Sequence, residues 1–193
     1  MQRLAESSSA ADDLRHDLLF GSSVVLEDAV ARVLRDAGCD VTRLDSLVDR
    51  PASADLLVTH GGRCRLVEVK SASGNASEDL VNAARRHLDT WPELRPDIAV
   101  EGITLIVSHQ TKSHPLERPP MVYSRTEFVR SLPVPVTTAM QLYNDWRLSQ
   151  FDAIRKAVFP DTRQRLSAPN AVHSPTPAPS KPRRRPWWRP NGR

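Results

Sequence analysis

The dipeptide Gly61-Gly62, which lies between two short runs rich in aliphatic and β-branched residues, constrains the fold of this chain more than any other feature. Two-residue hairpin turns need positive φ angles, which glycine adopts without a steric penalty. We therefore predict a β-hairpin that joins a strand over residues 55–59 to a strand over residues 65–70.

The predicted hairpin places charged side chains together on one of its faces. With a two-residue turn, His60 pairs with Arg63, and Asp55 then lies directly opposite Glu68. Side chains alternate along a strand, so Lys70 shares the face of Glu68. Opposed side chains have Cβ atoms about 4.5 to 5.5 Å apart, and like charges there repel each other. A positive group is therefore expected between the two carboxylates.

Two interpretations of this charged group remain open. A divalent cation with oxygen ligands, magnesium first and manganese second, suits the carboxylates of Asp55 and Glu68 and the main-chain carbonyl of Val69. Alternatively, Lys70 neutralises both carboxylates in a salt-bridged surface hairpin that needs no metal. The first interpretation predicts a catalytic site, and the second predicts a structural or interaction surface.

A first helix is predicted before Gly38, because apolar residues recur there at helical spacing. These residues are Leu26, Ala29, Val30, Val33, Leu34 and Ala37. On a helical wheel Glu27 lies beside Leu34, at the margin of the apolar face. A carboxylate at the margin of a core needs a partner, and the metal, or a water bound to it, would provide one.

The remaining elements alternate between strands and helices. We predict strands over residues 40–44, 103–107 and 134–137. We also predict three helices: one over residues 78–90, a short one that begins at the capping-box spacing of residues 124–127, and one from Thr138 to Trp146. The order αβββαβαβα favours an α/β fold in which helices flank one central sheet.

Three regions are expected along the chain. Residues 1–16 are polar and are interpreted as a flexible leader, residues 17–158 as one domain, and residues 159–193 as a disordered proline-rich tail. Residues 163–193 hold eight of the 27 Lys and Arg and none of the 23 Asp and Glu, so the domain itself is mildly acidic. The overall basic character therefore belongs to the tail.

The tail carries a second candidate functional segment. Its cations and stackable aromatic side chains are typical of segments that contact phosphates and unpaired bases. The candidate nucleic-acid-binding residues are Arg183, Arg184, Arg185, Trp187, Trp188 and Arg189. A solvated extension without a ligand is the alternative interpretation.

Other protein classes are disfavoured by the sequence. No apolar run is long enough to cross a bilayer and the first residues lack a signal pattern, so a cytoplasmic protein without membrane contact is expected. Cys39 and Cys64 form no CxxC pair and are expected to be free thiols. His87 and His109 are interpreted as packing residues. Of the two, His109 is the better candidate for a catalytic group, because it follows the buried strand.

Glu27 in a first helix, Asp55 at a strand start and Glu68-Val69-Lys70 in the paired strand resemble the PD-(D/E)XK restriction-endonuclease-like nucleases in motif, spacing and element order. The resemblance covers most of residues 20–149. It implies an αβββαβ core around a mixed sheet and magnesium-dependent hydrolysis of phosphodiester bonds, with DNA as the expected substrate in restriction, repair or defence.

The resemblance also implies a role for each residue. Asp55 and Glu68 would bind magnesium, Glu27 would support the metal or its water, and Lys70 would orient or deprotonate the attacking water and offset phosphate charge. Many nucleases of this kind cut as dimers, so a homodimer is a further expectation. The alternative is an inactive module of the same fold that binds nucleic acid or a partner protein.

Overall fold

The structure of the chain is a computed structural model that describes residues 2–44 and 54–160, with side chains from residue 9 onward. The described elements follow one another in chain order. They are α1 (Gln2–Phe20), α2 (Ser23–Asp36), β1 (Asp40–Arg43), β2 (Leu56–His60), β3 (Arg63–Ser71), α3 (Asp79–Leu94), β4 (Ile103–Ser108), a 3-10 turn (Pro115–Glu117), α4 (Thr126–Ser131), β5 (Val136–Thr138), α5 (Ala139–Arg147) and α6 (Phe151–Val158).

The strands form one mixed sheet in the order β1-β2-β3-β4-β5. β2 is antiparallel to both of its neighbours, β1 and β3, whereas β3, β4 and β5 run parallel. The parallel pairs need crossover connections, which contain α3 and α4. The expected α/β fold with a central mixed sheet and flanking helices is therefore confirmed.

The hairpin has the predicted register. Gly61 and Gly62 have φ angles of 57° and 77°, as a primed two-residue turn requires. His60 pairs with Arg63, and the ladder continues without a bulge to its last pair at the start of β2. Asp55 directly precedes β2, so continuation of this register places it opposite Glu68.

The sheet separates two apolar cores because its side chains alternate between the faces. One face packs against α1, α2, α5 and α6 and carries Leu56, Val58, Val67, Val69 and Ile106. The other face packs against α3 and the segment from Val122 to Val136 and carries Leu57, Leu66, Ile103, Leu105 and Val107. Glu68 follows the alternation of Leu66 and therefore points to the α3 face.

Four expectations about individual elements need correction. Most of residues 1–16, expected to be a flexible leader, lies within α1, and Leu14 and Leu18 from this helix are buried in the core. The polar sequence of the helix hid this periodicity, because the buried leucines among its described side chains, Leu14, Leu18 and Leu19, lie in its last turns. α6 was not predicted, and α4 begins at Thr126 without a side-chain cap. The predicted helix over residues 78–90 continues to Leu94, with Pro92 inside it.

Among the described residues no helix is both long and apolar enough to cross a membrane. Of the expected tail, residues 159–193, Phe159 is instead buried in the core, and residues 161–193 lie outside the described residues. Arg183, Arg184, Arg185, Trp187, Trp188 and Arg189 therefore stay sequence predictions.

Candidate active site

Asp55 lies where β2 begins and β3 continues past it. Its main-chain carbonyl accepts a 3.0 Å hydrogen bond from the Leu44 N–H, which extends the β1–β2 ladder by one residue. Its carboxylate Oδ2 accepts a 2.6 Å hydrogen bond from the Val69 N–H. Because the N–H and C=O of one strand residue point to the same side, the Val69 carbonyl faces the same edge. This end of the hairpin thus presents two kinds of oxygen, the carboxylate of Asp55 and the main-chain carbonyl of Val69.

Lys70 connects the two carboxylates of the hairpin. Its Nζ lies 2.6 Å from Glu68 Oε1 and 3.3 Å from Asp55 Oδ2. The Lys70 side chain is 35% exposed, whereas that of Glu68 is only 2% exposed. The predicted convergence of Asp55, Glu68 and Lys70 is therefore present, with Lys70 on the solvent side. These contacts fit both the metal-site and the salt-bridge interpretation.

Glu68 carries the buried polar atom that distinguishes this group. Its Oε2 is enclosed and, within the part of the chain that the structure describes, has no hydrogen-bond partner. A buried carboxylate oxygen without a partner costs free energy, since it has lost its hydration. A cation bound by this oxygen would remove that cost.

The pKa values of the two carboxylates are shifted in opposite directions. Burial, followed by the charge of Glu68, raises the pKa of Asp55. Burial also acts to raise the pKa of Glu68, but hydrogen bonds from His87 and Lys70 outweigh it and leave this pKa below its ordinary value. Burial acts to lower the pKa of Lys70, but its contacts with Glu68 and Asp55 leave it raised. Without a metal, the group therefore holds an ionised Glu68 and a charged Lys70.

His87 is a site residue that sequence analysis assigned to packing. Its Nε2 lies 3.5 Å from Glu68 Oε1, and its side chain is 22% exposed. The residue belongs to α3, on the side that packs against the sheet face of Glu68. A polar residue on the core-facing stripe of the helix that follows Lys70 was the available signal. His109, by contrast, is buried and contacts Pro119 O at 3.1 Å, as expected of a packing residue.

Glu27 pairs with an arginine of β1. Its Oε2 accepts a 2.8 Å hydrogen bond from Arg43 Nη2, and Arg43 also pairs with Asp28. α2 packs on the sheet face of Val67 and Val69, whereas Glu68 points to the opposite face. Direct contacts thus join Asp55, Glu68 and Lys70, whereas the contact described for Glu27 is with Arg43.

The oxygen donors predicted from the sequence, which are two carboxylates and one main-chain carbonyl, fit a hard divalent cation. Among the described residues, no three His, Cys, Asp or Glu side chains are close enough to hold a metal ion together. Asp55, Glu68 and the Val69 carbonyl would therefore form the protein's part of the site. Magnesium retains several waters and commonly uses one or two carboxylates, so a set of this size suits it.

Both cysteines are free, as predicted, with Cys39 buried and Cys64 partly exposed. Burial raises the pKa of the Cys39 thiol, which makes it a poor nucleophile. Comparison of the chain with models of known protein families, with curated proteins and with solved structures gave no match.

Proposed function

We propose that this chain is a metal-dependent nuclease that hydrolyses phosphodiester bonds of nucleic acid, with DNA as the first candidate substrate. One observation carries the proposal: Asp55, Glu68 and Lys70 converge at one edge of the sheet, and Glu68 Oε2 is buried there without a hydrogen-bond partner. A salt-bridged hairpin alone does not account for that oxygen.

Asp55, Glu68 and the Val69 carbonyl would hold magnesium or manganese. When bound, the ion supplies Lewis-acid polarisation of a phosphoryl oxygen and lowers the pKa of its water. The protein keeps the carboxylates in place beforehand. The Val69 N–H fixes Asp55, and Lys70 with His87 fixes Glu68. Such preorganisation avoids a reorganisation cost during the reaction.

Lys70 has the position and charge to act on the substrate. It is the most exposed member of the group, and its raised pKa keeps it as an ammonium. In this form it donates hydrogen bonds to a phosphate oxygen or to the attacking water, and it offsets negative charge. Of the two roles implied by the family resemblance, orientation of the water therefore fits better than its deprotonation.

The test is a cleavage assay with the full chain on plasmid and on circular single-stranded DNA, titrated with magnesium or manganese. Glu68→Gln and Lys70→Met should each lower the cleavage rate at least 100-fold, a loss of about 2.7 kcal/mol of transition-state stabilisation. Glu93→Gln and Lys156→Met are matched controls at exposed positions and should retain activity.

Each other outcome of this assay has a defined meaning. Cleavage that survives in Glu68→Gln points to a contaminating nuclease or to a different site, and the proposal fails. DNA binding without cleavage in the native chain, at any metal concentration, favours the inactive binding module. Loss of cleavage in the control variants would show that the effect is not specific to the hairpin.

A further inference from the structure

A cleft on the opposite face of the sheet is not used by the proposed reaction. It lies between the end of α1, the 3-10 turn and α5, and its volume is about 460 Å³. This size is within the range of ligand pockets in proteins. The lining residues that matter are Arg15, His16, Phe20, Leu116, Tyr143 and Arg147.

The charge of the cleft suits an anion. Arg15 and Arg147 line it together with His16 and His114, and none of the described residues that line it is Asp or Glu. Among the described residues, Arg15 pairs with Asp12 at 3.5 Å, and both side chains are more than half exposed; His16 lies 3.5 Å from Asp17. Such an exposed pair is worth roughly 0 to 1 kcal/mol, so Arg15 can exchange it for a phosphate.

The aromatic side chains of the cleft are fixed and yet accessible. Phe20 is 42% exposed, and the Arg118 guanidinium lies 4.9 Å from its ring centroid. Arg118 is itself buried and donates a 2.7 Å hydrogen bond to Leu19 O. Tyr143 stacks on Trp146 with ring centroids 6.4 Å apart. A ring that is already ordered loses little conformational entropy when a base stacks on it.

The end of α1, which lines the cleft, is tied to the end of the sheet that carries the charged group. Ser108 Oγ donates a 3.3 Å hydrogen bond to Leu19 O, which ties the end of α1 to the end of β4. Ser108 pairs with Ser71, the residue after Lys70. One strand of nucleic acid that crosses this edge would therefore meet Lys70 on one face and Phe20 on the other.

We infer that this cleft binds an unpaired nucleotide, with its base against Phe20 or Tyr143 and its phosphate against Arg15 and Arg147. The substrate class is then single-stranded nucleic acid or a single-stranded extension of a duplex. This inference deepens the proposed function and rests on it for the reaction. The binding itself needs no metal and no cleavage.

The experiment measures binding of a fluorescein-labelled single-stranded 12-mer to the full chain in EDTA, with the matching duplex as a second ligand. Phe20→Leu keeps an apolar side chain under Arg118 but removes the ring, and Arg147→Gln removes one cation. Each should weaken single-strand binding roughly 5- to 100-fold while duplex affinity changes less than about twofold. Lys156→Gln on α6, with the same change of charge, should leave both affinities unchanged.

A photocrosslink distinguishes the cleft from the basic tail. With 5-iodouracil in the oligonucleotide, peptides that contain Phe20 or Tyr143 should carry the crosslink. Unchanged affinity in Phe20→Leu and Arg147→Gln, with crosslinks only at Trp187 or Trp188, overturns the inference. Equal weakening for single strand and duplex overturns the preference for unpaired bases.

The two proposals fail separately. If cleavage requires Glu68 but the cleft variants bind normally, the cleft is rejected as a binding site and the nuclease proposal stands. Crosslinks at Phe20 or Tyr143 with selective loss of single-strand affinity, in a chain that cuts nothing, support the cleft and reject the nuclease.

Discussion

The Val69 N–H donates a 2.6 Å hydrogen bond to Asp55 Oδ2, although the two residues are 14 apart in sequence. The carboxylate thus takes the place of the main-chain acceptor that a longer β2 would have offered to β3. The same side chain satisfies a main-chain donor and faces the metal site that we propose. Asparagine retains an acceptor for this hydrogen bond and alanine does not, so Asp55→Asn is the informative substitution.

Asp55→Asn should stabilise the metal-free chain at neutral pH. Burial and the charge of Glu68 raise the pKa of Asp55 above 3.8, so its contribution to stability is present below about pH 4 and is lost as pH rises through the raised value. Asparagine does not titrate, and each unit of pKa difference corresponds to about 1.4 kcal/mol. Urea unfolding in EDTA from pH 4 to pH 8 should show a gain for the variant that grows with pH.

Asp97→Asn provides the control of opposite sign. A hydrogen bond from Arg95 lowers the pKa of this exposed carboxyl to about 2. Its stabilising contribution is therefore present above about pH 4 and is lost only as pH falls toward 2. From pH 4 to pH 8, Asp97→Asn should show a loss of stability that stays constant with pH. A stability difference between native chain and Asp55→Asn that does not vary with pH would contradict the assignment of Asp55.

Lys70→Met should destabilise the chain because Glu68 remains buried with fewer partners. We expect a loss of about 1 to 3 kcal/mol, below the roughly 3 to 5 kcal/mol of fully buried pairs, since Lys70 is 35% exposed. Glu68→Gln added to Lys70→Met should recover part of this loss. A double-mutant cycle by urea denaturation measures the coupling, and additive effects would show that Lys70 and Glu68 do not interact.

Magnesium or manganese should stabilise the native chain against unfolding. At a concentration ten times the dissociation constant, one bound ion adds about 1.4 kcal/mol. Thermal unfolding during a metal titration should show this increase in Tm, and Asp55→Asn and Glu68→Gln should abolish it. Glu93→Gln, at an exposed position, should keep it. A Tm that is independent of metal in the native chain would remove the metal from the site.

Glu27→Gln should have a small effect on cleavage. Its carboxylate pairs with Arg43, and α2 packs on the sheet face opposite Glu68, so its replacement should change the cleavage rate by no more than about fivefold, or about 1 kcal/mol of activation free energy. Arg43→Gln should have an effect of the same size. A 100-fold loss in Glu27→Gln alone would instead support the metal-linked role that the family resemblance implies.

His87→Ala should lower the cleavage rate about 10- to 100-fold, the usual range for partners of metal ligands. The reason is that His87 Nε2 helps to orient the Glu68 carboxylate. His87→Gln retains a donor and should recover part of the rate, whereas Asn82→Ala on the exposed side of α3 should have no effect. Equal rates for the native chain and His87→Ala would limit this residue to packing.

The hairpin could be predicted from sequence because its information is local. Gly61 and Gly62 fix the turn, the turn fixes the pairing, and the pairing fixes which residues face each other. The strand over residues 103–107 was also predictable, since an uninterrupted apolar run is typical of a strand covered on both faces. These two features together placed Asp55, Glu68 and Lys70.

The other contacts could not be predicted from the sequence, because they depend on packing between segments that are distant in the chain. Glu27 has the helical position of an inward residue, but its partner was decided by Arg43, whose strand lies at the edge of the sheet. His87 became a contact of Glu68 only because α3 crosses that face of the sheet. α1 packs against the core through a few leucines near its end, and its otherwise polar sequence gave no clear helical periodicity.

The Gly61-Gly62 turn also limits how this protein can diverge. An insertion of one residue in β3 between Gly62 and Glu68 would exchange the two faces of the segment that follows it, so that valines would replace the carboxylate of Glu68 and the ammonium of Lys70. Related chains that keep the chemistry should therefore differ in length elsewhere, for example in the long connection between β4 and α4. The number of residues between this turn and each charged side chain therefore decides whether the proposed site can form.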